Sequence, residues 1–568
     1  MASNPVVLEE ILTRHDWIST FTHPPDVVSL LRNNDPPSLP QSARLKESLA
    51  SLNMPLSELQ SDLNLLRGAV ASVESRMSCL MSLKHDYETV LSPIRRIPSE
   101  ITMEILRRAW ENNGSGPRTL ERRLYGFNVF AIREGPWHLG QVCRSWRNVV
   151  ETLCPELWAN MSVEVPDYCQ PKVSLKADAA LEVLRIILKC SRNHPLDFHL
   201  VSNYCPYPSD EDGIPQAMER CFHMMLAHSN RWRAVEMTLD SDILPELSVI
   251  RGKIDGLRDV YIYCSDVDSE SVNINAFEVA PKLERLVLKG MHPGTEIRFP
   301  TANLISFSDA RSFGGDRLTP EYLDLVKSAP KLRSFSYNDY SEYGISNPMI
   351  FLRVMSRSVK ELSTASACFM RGLLLPSLEK CVLATGWDLG LEDVEAEDAL
   401  SCPDDALGAL HEMLLVSRCS LTKLHLVDVV LDDNLANAIR IMPDLREFVV
   451  KYDDWGGDYD PILQSLMTQL SAVSLVGRSP QHSMVPSLQS LCVYLDGLWR
   501  THISFINSAF VDMVASRLRH HSDAPHLTKL DLYVEGKSWT CDLDEAAKDT
   551  LNSLRGEGLE LVLNLVPG

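Results

Sequence analysis

Apolar residues recur from Leu45 onward at Leu49, Leu52, Leu56, Leu59, Leu63, Leu66, Val70, Val73, Met77 and Leu80, with spacings alternating between three and four. An average period of 3.5 is the a/d seam of a coiled coil, so the pattern predicts a coiled-coil-like helix over 45–90. Pro55 interrupts the seam, because proline has no N–H for the helix ladder and its ring clashes with the preceding turn. The helix is therefore expected to begin near Pro55, where proline suits a first helical position. Many flanking e and g candidates are serine, so charge does not name the partner of the seam. Folding back on its own chain, self-association through 55–90, and a dedicated partner helix all satisfy it. Residues 1–44 are Pro-rich and weakly patterned, and read as a mostly flexible arm.

A second helical block follows. Pro98 suits a first helical position, Glu100 complements the positive end of the helix dipole, and Ile101, Ile105 and Leu106 share one face. Gly114, Gly116 and Pro117 end this helix, and Glu134-Gly135-Pro136 marks another break. Leu139, Val142, Cys143, Trp146, Val149, Val150 and Leu153 then form one stripe at close to a 3.6-residue period. The stripe predicts a single amphipathic helix with Cys143 in its core and Arg144 and Arg147 off the stripe. Pro155 stops it, and Leu157 and Trp158 add a last apolar pair.

From about 166 to 568 a looser unit recurs, with a Leu-x-x-Leu-x-Leu-like spacing. It stands at Leu257-Val260-Ile262, Leu283-Leu286-Leu288, Leu332-Phe335-Tyr337 and Leu378-Cys381-Leu383. It returns at Leu421-Leu424-Leu426, Leu445-Phe448-Val450, Leu488-Leu491-Val493 and Leu527-Leu530-Leu532. Several units follow a proline two residues earlier: Pro281, Pro330, Pro376, Pro443 and Pro486, with Pro525 in the same place. Intervals such as 26, 24 and 43 between first leucines fit one repeat, or a repeat with an insertion or a degenerate unit between. The pattern reads as a degenerate leucine-rich-repeat solenoid in which a short strand is followed by a turn and a return helix. Leu181 to Lys189 and Ala406 to Val416 are candidate return helices. An unrelated α/β domain with several short buried strands is the alternative.

Composition narrows the classes. The chain is 45% hydrophobic and 23% charged, which is ordinary for a globular protein. Its formal net charge of −21, unrelieved by a basic stripe, argues against binding nucleic acid. No apolar run approaches the roughly 20 residues of a membrane span, and the first ten residues lack a secretory signal pattern. The 14 cysteines are scattered without a Cys-x-x-Cys pair, as expected of reduced core thiols in cytosol or nucleus. No phosphate-binding glycine loop or nucleophile elbow occurs, so neither a cofactor nor a catalytic residue is expected. His223 and His228 are five apart, outside zinc-ligand spacing, and read as helix-surface residues. Asp453 to Asp460 lacks the calcium-loop register and reads as a solvated, aromatic-tipped loop, and the acidic run 391–398 reads as a solvated loop.

Three blocks in order carry a resemblance: Ile97-Pro98-Ser99-Glu100-Ile101, then Val142-Cys143-Arg144-Ser145-Trp146-Arg147, then Pro155-Glu156-Leu157-Trp158. Together with the preceding seam, they resemble the F-box proteins abundant in mushroom-forming fungi. The resemblance covers roughly residues 45–165. It implies a three-helix F-box at 91–165 that docks on the adaptor of an SCF-type ubiquitin ligase, and through it on the cullin. The implied adaptor-binding residues are Ile97, Pro98, Ile101, Ile105, Val142, Trp146, Leu157 and Trp158, with Arg144 and Arg147 at a polar rim. It also implies an unknown protein target for the C-terminal repeats and no catalysis by this chain. The chain departs from a compact F-box by the length between Ile105 and Val142, which marks 111–135 as an insertion. A tolerated surface loop is one reading of it, because loop entropy grows slowly with length, and a segment that weakens or blocks adaptor docking is the other.

Overall fold

The structure is a computed structural model that describes residues 4–33, 36–113, 126–131, 135–164, 177–201, 214–264, 271–292, 294–311, 319–339, 352–384, 405–476, 479–519 and 526–567. The acidic run 391–398 and most of the 111–135 insertion lie outside these residues. The chain divides into two compact units, Met1–Thr102 and Met103–Gly568.

The first unit is helical. The 1–44 segment expected as a flexible arm instead carries α1 (Asn4–Thr13) and α2 (Pro25–Asn33). Just past α1, Arg14 and His15 both reach the carboxylate of Asp62, at 3.3 and 3.6 Å. Asp62 lies on α3, a 53-residue helix running Leu39–Leu91. Ser38 and Gln41 close a capping box at its start, and Pro40 sits in its first turn. Contrary to the expected start near Pro55, the helix runs through that proline. An interior proline costs about 3 kcal/mol, and the bonded turns on both sides outweigh this single loss. No residue of α3 is buried.

α4 (Ser99–Asn113) leads into the second unit. The stripe over 139–153 is two helices rather than one: α5 (Trp137–Gly140) and α6 (Arg144–Leu153). Cys143 breaks it as the N-cap of α6, exposed, with Sγ accepting the Trp146 N–H at 3.5 Å. A core thiol expected there is thus a capping group. Pro155–Trp158 form a short 3-10 turn.

The rest of the unit is mixed α/β around one 15-stranded sheet, parallel throughout, whose strands neighbour each other in chain order. The first five are β1 (Phe127–Asn128), β2 (Asn160–Val163), β3 (Leu196–Val201), β4 (Trp232–Leu239) and β5 (Asp259–Cys264). Next come β6 (Arg285–Lys289), β7 (Ser306–Arg311), β8 (Ser334–Asp339), β9 (Glu361–Thr364) and β10 (Lys380–Ala384). The last are β11 (Lys423–Val427), β12 (Glu447–Tyr452), β13 (Ser490–Trp499), β14 (Lys529–Lys537) and β15 (Glu560–Pro567). Helices α7 (Ala177–Cys190), α8 (Ile214–Ala227), α9 (Thr319–Ser328), α10 (Ala367–Arg371) and α11 (Ala406–Ser417) lie in the connections, α7 and α11 where return helices were expected. So do α12 (Asn434–Arg440), α13 (Asp460–Ser471), α14 (Ser508–Leu518) and α15 (Glu545–Gly556).

The sequence units land one per strand, and the pairing keeps them level. One apolar row crosses the whole sheet: Phe127, Met161, Phe198, Val235, Val260, Leu286, Phe307, Phe335, Leu362, Cys381, Leu424, Phe448, Leu491, Leu530 and Leu561. Every member is buried. Before these strands the same turn recurs. The first leucine of the unit donates its N–H three residues back, as from Leu283 to Ala280, Leu332 to Ala329, Leu378 to Leu375 and Leu445 to Met442. Pro281, Pro330, Pro376 and Pro443 occupy the second position of these turns, where φ near −65° is wanted. The residue after that leucine offers its carbonyl to two N–H groups of the next strand, as Arg258, Glu284, Ile305 and Arg333 do in succession.

Seven strands of the sheet escaped the sequence pattern: β1 to β4, β15 and, between recurring units, β7 and β9. Leu304-Phe307-Asp309 and Val359-Leu362-Thr364 fill the 49- and 46-residue gaps after Leu283 and Leu332. Their third position is polar, yet Asp309 and Thr364 are fully buried. The Tyr322 hydroxyl donates to the Asp309 carboxylate at 2.5 Å. The 43-residue gaps hold no further strand of this sheet among the described residues; α11 and α13 occupy them. The 453–460 loop is also packed rather than solvated, since Trp455 is buried edge-on to Tyr452 at 4.8 Å. Asp460 accepts the Ser504 N–H there.

Arg517 on α14 is buried, and its guanidinium donates to the carbonyls of Leu470, Met484 and Val485 at 2.7–3.1 Å. Leu470 lies in the last turn of α13, where carbonyls lack helical partners, and Val485 holds a left-handed φ of 47°. Burial pulls the Arg517 pKa down to about 10, so it stays charged at neutral pH. Arg517→Met leaves these carbonyls unpaired, and denaturant unfolding should show a loss of about 3 kcal/mol or more. Arg500→Met, at an exposed position, should change stability by less than about 0.5 kcal/mol.

Candidate docking surfaces

Trp158 organises the small helical unit that precedes the sheet. It is 1% exposed, and its indole N–H donates to the Val150 carbonyl at 2.9 Å. Trp137 meets it edge-on at 4.8 Å and Phe127 at 6.3 Å. Leu106, Leu139, Val149, Val150, Cys154 and Leu157 complete a core continuous with that of the sheet. Burial pushes the Cys154 thiol up to about 11, which makes it an inert packing group. Arg107 on α4 pairs with Glu156 at 2.5 Å, and Trp110 stacks on His138 and meets Phe127 edge-on. α4 is thereby held at its C-terminal half.

Against this closed core, the residues expected to bind an adaptor separate into two groups. Leu157 and Trp158 are internal, so they support a surface and do not form one; the indole N–H must find a partner, and Val150 supplies it inside. Arg147 is exposed but donates to the Gly140 carbonyl at 3.1 Å, tying α6 to α5. Trp146 is half-buried and packs on the core. Ile105 and Val142 are open to solvent, Val142 at 62% exposure, and Arg144 is exposed beside them in sequence. In the first unit, Ile97 is half-buried while Pro98 and Ile101 are exposed, Ile101 at 53%. Leaving side chains of this kind in water forgoes about 1.5–3 kcal/mol each relative to full burial.

The insertion is more than a surface loop. Its described end, residues 126–131, forms β1 and carries the buried Phe127, Val129 and Phe130. Val129 donates to the Ser162 carbonyl at 2.8 Å, and the Asn128 amide donates to the Glu164 carbonyl at 2.9 Å. The insertion thus joins the helical unit to the first edge of the sheet. No sequence signal announced this, because a two-residue strand has no readable period.

A second surface is the sheet face opposite the apolar row. Alternation puts Asp259, Tyr261 and Tyr263 on it from β5, and Arg285, Val287 and Lys289 from β6, all half-buried. In the middle strands the same positions hold Ser306, Ser308, Ser334, Ser336 and Ser363. Beyond these stand Lys423, His425 and Glu447, then Tyr494, Asp531 and Tyr533. Cross-strand ion pairs lie along the face, Arg285–Asp259 at 2.6 Å and Lys423–Glu447 at 2.8 Å, and Lys529 pairs with Asp531 on its own strand at 2.9 Å. The face is therefore low and polar at its centre, with larger side chains on both sides.

His223 lies between two carboxylates, with Glu246 3.4 Å from Nδ1 and Glu219 3.8 Å from Nε2. These exposed and half-buried groups could supply metal ligands, but each ring nitrogen faces one acid, an arrangement that a surface histidine reaches without a metal. His228 is partly buried, and burial together with Arg231 lowers its pKa. No described helix is long and apolar enough to cross a membrane. No protein-family model matches the chain, and no curated protein matches its sequence.

On the open face, His199 is buried, with Nδ1 3.2 Å from the Ser162 hydroxyl. Burial lowers its pKa to about 4, so it is neutral in the folded protein at pH 7. The unfolded chain takes up this proton first, near pH 6.5, so stability is present above that pH and lost as pH falls toward 4. By pH 5 the loss from this group should reach about 2 kcal/mol. Urea unfolding at pH 7 and pH 5 should show a smaller drop for His199→Gln than for the natural chain.

Proposed function

We propose that this chain is the substrate-recognition subunit of an SCF-type ubiquitin ligase. In this reading the helices of 91–165 are an F-box that docks on the ligase adaptor. The parallel sheet is a degenerate leucine-rich-repeat array whose open face holds a protein target. The observation that carries it is the exposure of the motif's own apolar residues, above all Ile105 and Val142, over a core that is already closed. Hydrophobic anchors of this kind carry most of the energy of a docking contact. Ile97, Pro98 and Ile101 are proposed as further contacts and Arg144 as a rim residue, while Leu157 and Trp158 hold the unit's shape. The strand order, common register and repeated turn support the repeat reading.

No catalytic step is assigned to this chain. The thioester and the acceptor lysine belong to other molecules, and the receptor's contribution is local concentration and orientation. Because the helical core is continuous with the sheet, the receptor would present its target at a fixed distance from the adaptor. Cytosol and nucleus are the proposed compartments.

A ligase-independent repeat scaffold is the second reading. The insertion favours it, since β1 ties the helical unit into the sheet and gives those helices a structural role of their own. A pull-down of the purified SCF adaptor by the full chain separates the two. The natural chain should retain the adaptor, and Ile105→Asp with Val142→Asp should lose it by at least tenfold while keeping its circular dichroism. A folded natural chain that retains no adaptor would leave the scaffold reading standing.

A further inference from the structure

The a/d seam continues past Leu80 through Lys84, Tyr87 and Leu91, and its two halves differ in exposure. In the first half Arg14 and His15 sit on Asp62, Leu45 and Leu66 are half-buried, and Leu52 and Leu59 are 36% exposed, while Leu49, Leu56 and Leu63 are 41–65% exposed. Beyond Leu66 nothing described covers the helix. Val70, Val73, Met77, Leu80, Tyr87 and Leu91 are 52–68% exposed. With the apolar side chains beside them they leave on the order of 1,000 Å² in water, comparable to the roughly 800 Å² each partner gives a standard interface.

We propose that residues 66–91 of α3 pair with the same stretch of a second copy, in antiparallel orientation. The area is that of a stable dimer, and a 3.5-residue period lets two copies wind along the whole seam. Charge selects the orientation. In a parallel pair Lys84, at an a position, faces the partner's Lys84 inside the seam. The partner available to Arg67 would then be Asp62, which Arg14 and His15 already hold. In an antiparallel pair centred between Met77 and Leu80, a positions meet d positions, and Lys84 lies against the partner's Val73. Leu66 meets the partner's Leu91, so the exposed stretch overlaps completely. Arg67 then stands beside the partner's Glu88, twice by symmetry. Glu88 is available for this, since its own contact is an exposed pair with Lys84 at 3.7 Å. The inference does not rest on the ligase reading.

Sedimentation of the full chain at about 10 μM should give twice the 63.8 kDa chain mass. Val73→Glu with Leu80→Glu should give a monomer with unchanged sheet unfolding. A natural chain that stays monomeric, or a dimer that survives this double substitution, overturns the proposal. Arg67→Glu should weaken the dimer about tenfold, and Glu88→Arg added to it should restore the affinity. In a Cys79→Ser background, Lys84→Cys should not cross-link on oxidation, whereas a parallel pair would bring the two thiols together. Cross-linking there, or indifference to both charge reversals, overturns the antiparallel register.

Discussion

One level row of buried side chains, a single residue from each of fifteen strands, fixes the second unit of this protein. Side chains on a strand alternate, so a slip of one residue on any strand would turn its buried residue to solvent. The row therefore sets register everywhere at once. It also spans the chain's two proposed roles, for it starts at Phe127 beside Trp158 and ends at Leu561. The turn before many of these strands repeats for the same reason: it delivers the first leucine of the unit to the core at the same height.

The polar members of this core show what such regularity tolerates. Asp309 and Thr364 occupy positions that the recurring units fill with leucine, isoleucine, valine or tyrosine, and Asp309 is held by the Tyr322 hydroxyl. Arg517 goes further, placing a guanidinium in the interior because three carbonyls at irregular points of the chain converge on it. A buried donor set matched to buried acceptors avoids the penalty either would carry alone. Both arrangements lie where the repeat departs from its pattern, which is where the backbone most needs outside partners.

The helical unit and the long helix present the opposite situation, apolar groups without cover. Around Trp158 the core is complete, yet Ile105 and Val142 stay in water. Along α3 the whole seam is exposed after Leu66. The chain carries a net charge of −21, and these uncovered apolar stretches are where association gains most.

The sequence by itself determined the elements with a long or repeated period. The seam of α3 and eight of the strands were readable because each repeats one spacing many times, whereas of the expected face of Ile101, Ile105 and Leu106 only Leu106 is buried. What it could not determine depended on which backbone groups are bonded and on which residues are brought together. Pro55 stays helical because bonded turns flank it on both sides, and 4–33 is helical, with Arg14 and His15 on Asp62 just past α1. The 139–153 stripe split at Cys143, since periodicity records where apolar residues fall and not which backbone groups are bonded. The strands at Phe307 and Leu362 were hidden by a polar third residue, Asp309 held by Tyr322 from α9 and Thr364 by the Ser366 N–H. Among the proposed docking residues, only the packing of Trp158 against Trp137 and Val150 decided which faced inward. Burial is a property of neighbours, and the neighbours of Trp158 are brought in from α5, α6 and β1 by the fold.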